Sequence, residues 1–322
     1  MSKIQGIKIH MRNYCVVVPT IREKCITDFL EKWKFECTVI LVEDNPEKTF
    51  KIKKDSRIQH YSWEDIDKTF GKKSWIISRR DSAIRSFGFY LAYKQNFDYI
   101  FTLDDDCYPI NGVDFFTDHI NNLEQFPKWT ESCIGYRTRG IPYKNLGTLD
   151  NVKLSAGLWE GVPDLDAIQT LSNQNIKLPE NTRIIPKGQY YPLCGMNMCF
   201  KRDMTPLMWF PLMGEGSPYR RFDDIWCGII SKKIMDHLDI NVAVGKPFIF
   251  HSRASDVFKN LEKETPGVIE NEKFWQIIDS IKIQGSNILE CMADIGRKLK
   301  NIEIDYYKKI GMAIINWVSF FE

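Results

Sequence analysis

The chain has no paired Cys-x-x-Cys spacing, no apolar run near the roughly 20 residues that span a bilayer, and no marked charge imbalance. Each absence excludes a class. Nine cysteines, an odd number, are scattered through the 322 residues; without pairing they argue against a structural zinc site and for reduced, mostly buried thiols. A formal net charge of +2 provides no general attraction to nucleic acid or membrane. The opening stretch "MSKIQGIKIHMRNYCVVV" lacks a signal-peptide core, so a cytoplasmic location without a membrane span is expected. There is no internal repeat and no low-complexity linker.

What is present is an alternation of strands and helices. "YCVVVPT" (14–20) is β-branched and reads as a buried strand. Residues 21–34 place Ile21, Cys25, Phe29, Leu30 and Trp33 at helical spacing. Further strands are expected at 37–45, 57–63 and 98–106, with a helix over 82–95. This order predicts a doubly wound, Rossmann-like α/β sheet, whose ligands bind beyond the strands' carboxyl ends. Pro19-Thr20, Glu43-Asp44 and Asp104–Asp106 all fall at such ends and should meet on one edge. Residues 110–190 are rich in Gly, Pro, Asn and Asp and read as long loops. Strands return near 192–203 and 242–255, and from about 260 the pattern is helical. Two units are expected: 1–260 as a ligand-binding α/β domain and 261–322 as a helical extension packed on it. The tail aromatics Trp317, Phe320 and Phe321 fit either a subunit contact, hence a homo-oligomer, or a cover for the core.

Three adjacent carboxylates at a strand end repel one another unless cations neutralise them. Residues i and i+2 point the same way along a strand, so Asp104 and Asp106 can share a ligand while Asp105 turns elsewhere. A hard divalent ion, Mg2+ or Mn2+, takes one or two carboxylates and completes its shell with water and phosphate oxygens. A solvated acidic turn is the alternative. The arrangement resembles the Asp-x-Asp element of nucleotide-sugar enzymes with the glycosyltransferase A-type fold, in which a late-strand histidine often completes the metal shell. His251 stands at such a place; a capped or core histidine is the other reading.

A further cluster, "GEGSPYRRFDDIWCG" (214–228), joins a glycine-rich turn to Asp223, Asp224 and Trp226. Acids accept bonds from sugar hydroxyls, an indole can cover a pyranose, and either acid could support a developing oxocarbenium charge. Either acid would also serve as a helix cap. "CGMN" (194–197) would line the same cavity through Gly195 and Asn197, with Trp159 and Asp164 or Asp166 as a far wall.

The stretches "VVPTIREKCITDFLEKWK", "LVEDNPEKTF", "RRDSAIRSFGFY", "YIFTLDDDCYP", "GLWEGVPDLDA", "IIPKGQYYPLCGMNMCFKRD", "LMGEGSPYRRFDDIWCGIISKKIMDHL" and "PFIFHSRASDVFKNLEKE" occur in family order from about residue 14 to 263. Together they resemble the UDP-arabinopyranose mutases, also called reversibly glycosylated polypeptides. The resemblance implies a UDP-sugar substrate and an enzyme that interconverts pyranose and furanose forms. It assigns Pro19, Thr20, Arg22, Asp44, Asp81, Arg85 and Asp105 to the nucleotide, and Asp104, Asp106 and His251 to Mn2+ or Mg2+. Gly195, Asn197 and Trp226 go to the sugar, and Asp223, Asp224 and Arg139 to the chemistry. Arg85 also fits an ordinary ion pair. One stretch departs from the pattern. Plant members are associated with glycosylation of an arginine after an Arg-Gly-x-Pro stretch; here Arg139, Gly140 and Pro142 match, but Asn145 or Leu146 stands at the arginine's place. Lys144 is no simple substitute, and in another register Arg137 or Arg139 would take that place. A metal-dependent glycosyltransferase, and a subunit that binds nucleotide sugar without turnover, are the alternatives.

Overall fold

A computed structural model describes residues 13–130, 138–172, 176–179, 181–252 and 255–322. Cys133 and Arg137 lie outside the described residues. The other eight cysteines are free thiols.

The first half is built as β1 (Tyr14–Thr20), α1 (Glu23–Trp33), β2 (Thr38–Glu43), β3 (Ile58–Tyr61), α2 (Trp63–Phe70), α3 (Arg85–Lys94) and β4 (Tyr99–Leu103). β1 pairs in parallel with β2 on one side and β4 on the other, and β3 continues beyond β2. The chain thus winds outward from β1 and then returns to its other side. A crevice is expected at that switch point, outside the ends of β1 and β4. Side chains of β1 alternate between two cores: Cys15 and Val17 join one, Val16 and Val18 the other. This period of two is what a sheet covered on both faces requires.

The second half adds β5 (Cys107–Tyr108), α4 (Phe115–Glu124), β6 (Val152–Gly161), α5 (Ala167–Leu171), β7 (Arg183–Ile184), β8 (Asn197–Lys201), α6 (Asp223–His237) and β9 (Asn241–His251). The strand order is β3-β2-β1-β4-β8-β6-β9-β5, with β7 on β9. β8 runs antiparallel to β4 and to β6, while β9 runs parallel to β6. The ends of β1, β2, β4, β6 and β9 and the start of β8 therefore share one edge. The expectation of long loops over 110–190 is corrected here: β6 is a ten-residue strand inside the sheet. Its centre, Ser155-Ala156-Gly157, carries no bulky β-branched residue, so the strand signal was weak. Gly157 is required by the packing, since a Cβ there would overlap the Asn197 side chain.

α7 (Val257–Ser280), α8 (Ile288–Lys300) and α9 (Asp305–Val318) follow. α7 begins before the expected boundary at 260. Phe274, Ile295, Tyr307 and Trp317 are fully buried and belong to the same core as Val17 and Phe87. The tail aromatics cover that core: Phe320 and Phe321 meet Phe70, Tyr90 and Tyr93, and Trp317 packs on Tyr90. Among the described residues no helix is long and apolar enough to cross a membrane.

Candidate active site at the sheet edge

Two arginines serve the three acids of the 104–106 triplet. Asp104 is paired with Arg85, and Asp105 with Arg22. Asp106 lies 3.2 Å from Arg22 and 3.8 Å from His251. Asp105 is 2% exposed and accepts a 2.6 Å bond from the Thr20 hydroxyl. It staples β1 to β4 across the switch point. Thr20 and Pro19 are buried too. The assignment of Asp105 and the Thr20 hydroxyl to the nucleotide is therefore corrected: their polar atoms hold each other and Arg22. Arg22 keeps 30% of its side chain exposed and faces out from this staple.

Arg85 differs from its expected role in the same way. Its guanidinium is almost wholly buried. It donates to the Ser82 carbonyl at 3.0 Å, to the Thr102 hydroxyl at 2.9 Å, and to the Gly195 carbonyl and Asp104. An arginine so committed is a positioning residue, not a free clamp for phosphate. Gly195 is needed for this: a Cβ there would lie 2.7 Å from the Arg85 Cζ. On its other side the Gly195 N–H points at Asp224 Oδ2, 3.5 Å away. One buried cation thereby links the acid triplet to the acids of α6.

Those two acids are not equivalent. Phe222, not an aspartate, occupies the cap of α6 and contributes no side-chain bond. Asp223 is buried and accepts a 2.8 Å bond from Ser82. Asp224 is half-buried and its Oδ1 accepts from the Ile225 N–H at 2.8 Å. Burial, then the charges of Asp223 and Asp164, push Asp224 well above the usual carboxylate range, with Arg85 opposing. Asp81 is likewise pushed up by burial and by Asp223. Its Oδ2 accepts from Ser78 at 2.6 Å while its buried Oδ1 has no hydrogen-bond partner among the described residues.

Two sugar assignments are corrected. Trp226 is fully buried and stacks on Phe274 at 3.6 Å, leaving no face for a pyranose. Asn197 is also fully buried. Its amide donates to the carbonyls of Leu158 (2.8 Å) and Pro247 (3.0 Å), and its Oδ1 lies 2.8 Å from His119. Of the far wall, Asp166 caps α5, whereas Asp164 accepts from the Cys194 thiol at 2.8 Å and acts on Asp224. Arg139 is exposed on a turn and, among the described residues, bonds to none of these acids. Asn145 is exposed and its side chain accepts from the Gly147 N–H at 2.9 Å.

At the nucleotide end, Asp44 is buried and accepts a 2.7 Å bond from the Trp63 indole. Arg80 was missed in the sequence. Its guanidinium lies 4.9 Å from the Trp63 ring and donates to the Asp44 carbonyl at 3.2 Å. The double arginine before Asp81 was a signal for it, but only the fold places Trp63 beneath.

The residues at Asp106 fit a divalent cation. His251 Nδ1 lies 2.8 Å from the Val162 carbonyl, which can only accept, so Nδ1 carries the hydrogen. Its Nε2 is thereby turned toward Asp106, 3.8 Å away. A carbonyl that orients a histidine in this way is a usual companion of metal ligation. Asp106 is itself pushed up by burial and by Asp104, as uncompensated negative charge requires. Among the described residues no three His, Cys, Asp or Glu side chains converge on one point; few protein ligands plus phosphate oxygens is the Mg2+ pattern.

A family model described as "Reversibly glycosylated polypeptide" matches residues 9–322. The chain belongs to that family. It is 34% identical over 330 residues to UDP-arabinopyranose mutase 1 of Arabidopsis thaliana, covering 94% of this chain and 90% of the relative. To probable UDP-arabinopyranose mutase 1 of Zea mays it is 35% identical, covering 94% and 89%. To UDP-arabinopyranose mutase 1 of Oryza sativa subsp. japonica it is 33% identical, with the same coverage. The α/β core with its helical C-terminal part is the glycosyltransferase A-type architecture expected from the sequence.

Proposed function

We propose that this member of the reversibly glycosylated polypeptide family is a cytoplasmic UDP-sugar mutase that interconverts UDP-arabinopyranose and UDP-arabinofuranose. The observation that carries this reading is the Arg85 tie. It sets a corner suited to a diphosphate beside acids suited to a sugar, on one sheet edge. Names of relatives that match over nearly the whole chain point to the same substrate.

In this reading Arg22, kept in place by Asp105, meets the diphosphate, and Trp63 with Arg80 forms the nucleoside side. Asp104, Asp106 and His251 would hold Mn2+ or Mg2+, which when bound supplies positive charge for the departing phosphate oxygen. Asp224 faces the sugar, with Asp223 buried behind it on Ser82. Keeping UDP in place after the anomeric bond breaks favours its return over escape, because the return step is then intramolecular.

The test is incubation with UDP-arabinopyranose and Mn2+ without an acceptor, the products being resolved by chromatography. A second UDP-pentose is expected, and Asp106→Asn should lower both its rate of formation and Mn2+ binding measured by electron paramagnetic resonance. UDP release that depends on an added acceptor would instead mark a glycosyltransferase. Unchanged Mn2+ binding in the variant would overturn the metal assignment.

A further inference from the structure

This inference rests on the mutase reading. Changing a six-membered into a five-membered sugar ring exchanges the oxygen bonded to C1: O5 departs and O4 arrives. One proton must move from the 4-hydroxyl to O5. Water could carry it only if water entered, and water would also hydrolyse the activated sugar. A protein group that takes and returns one proton avoids that loss.

The acid cluster offers one group placed for this. Asp223 is buried and holds the Ser82 hydroxyl. Asp104 is held by Arg85. Asp164 accepts the Cys194 thiol. Asp224 is half-buried, as Asp104 and Asp164 are, and stands at the start of α6 with an oxygen, Oδ2, that meets the Gly195 N–H at 3.5 Å, a marginal bond. Its other oxygen is anchored at 2.8 Å by the Ile225 N–H, which fixes the carboxylate plane.

We propose that Asp224 is the proton carrier of the ring exchange. UDP leaves C1 with the bonding pair. O4 then attacks C1 as its proton passes to Asp224 Oδ2, giving an anhydro sugar in which C1 holds both O4 and O5. Asp224 returns the proton to O5 while the C1–O5 bond breaks and its electrons stay on O5. UDP attacks C1 again, now in the five-membered ring. Bonds, protons and electrons balance without an oxidant, a second substrate or a covalent bond to the protein. The last point suits a loop in which Asn145 or Leu146 stands where the plant pattern has its arginine. The raised proton affinity of Asp224 has a use in this sequence: a carboxylate that binds its proton more tightly is a stronger base toward a hydroxyl.

The experiment uses UDP-arabinopyranose carrying 18O in the bridge between C1 and the β-phosphorus. Departure and return of UDP scrambles that label without any change of ring. In Asp224→Asn we expect scrambling within about tenfold of wild type, while furanose formation falls by about 10²–10⁴-fold, the usual worth of a general acid–base group. Asp224→Glu, which keeps the carboxyl, should restore ring exchange at least in part and shift its pH profile. Furanose formation by Asp224→Asn at the wild-type rate overturns the proposal. So does parallel loss of scrambling and conversion with UDP affinity intact, which would put Asp224 at the C1–O cleavage instead. If Asp224→Asn does not fold, Asp224→Glu decides: an unaltered pH profile at the wild-type rate overturns the proposal. A wild-type protein that neither scrambles nor interconverts refutes the mutase reading itself.

Discussion

At the residue scale, the Asp104–Asp106 triplet shows what charge repulsion in a sequence can and cannot say. Three adjacent acids do demand neutralisation, and that much was legible. The sequence does not reveal who supplies it, because Arg22 and Arg85 are distant along the chain and only the meeting of β1, α3 and β4 brings them in. Arg22 and Arg85 balance much of the local charge from within the protein. Gly195 was read as lining the sugar cavity; in the fold it makes room for the Arg85 guanidinium. Removing one partner of a buried ion pair costs about 3–5 kcal/mol, so Arg85→Ala should lower stability by that order. Gly195→Ala should be destabilising in the wild-type background and nearly silent when combined with Arg85→Ala. Urea denaturation of the four proteins checks this; additive losses would show that the two residues act separately.

At the scale of elements, legibility followed hydrophobic pattern. β1, β2 and β4 are continuous apolar runs and fall where expected, within three residues at each end. β6 was invisible because its pairing depends on small residues and on neighbours β8 and β9 that arrive later in the chain. α6 displays the opposite error. Its motif was read as a binding face, yet Trp226 turns inward onto Phe274 of α7, a partner some fifty positions away that local pattern cannot reveal. α4 joins the sheet through a buried histidine: His119 lies 2.8 Å from both Ser155 of β6 and Asn197 of β8. Burial lowers its pKa from the ordinary 6.5 to about 4. The folded chain therefore refuses a proton that the unfolded chain takes. The stability that depends on this neutral histidine is complete above pH 6.5 and is lost as pH falls toward 4, a loss of about 3 kcal/mol in all. His119→Gln should be less stable than wild type at pH 7, yet lose less on going to pH 4.5. Equal losses in urea midpoints would contradict a buried neutral His119.

At the scale of the whole molecule, the sheet's winding explains why residues from widely separated segments meet. β1 and β4 diverge at the switch point and form the nucleotide end. The start of β8 and α6 bring the second acid group to the same edge, and Arg85 spans the two. α7–α9 bury their apolar faces in the same core and thereby fix α6 from behind. The general architecture could be read from alternating strand and helix signals. The coupling between the two acid groups could not, since it runs through one arginine and one glycine 110 positions apart. The account's central claim is that this edge exchanges the sugar ring without releasing the sugar. The measurement that tests it most directly is NMR of two parallel incubations, one begun from UDP-arabinopyranose and one from UDP-arabinofuranose. Convergence of both on one ratio of the two UDP-sugars, with no accumulation of free UDP, is the result predicted. Free UDP and arabinose from either start, with no second UDP-sugar, would contradict it.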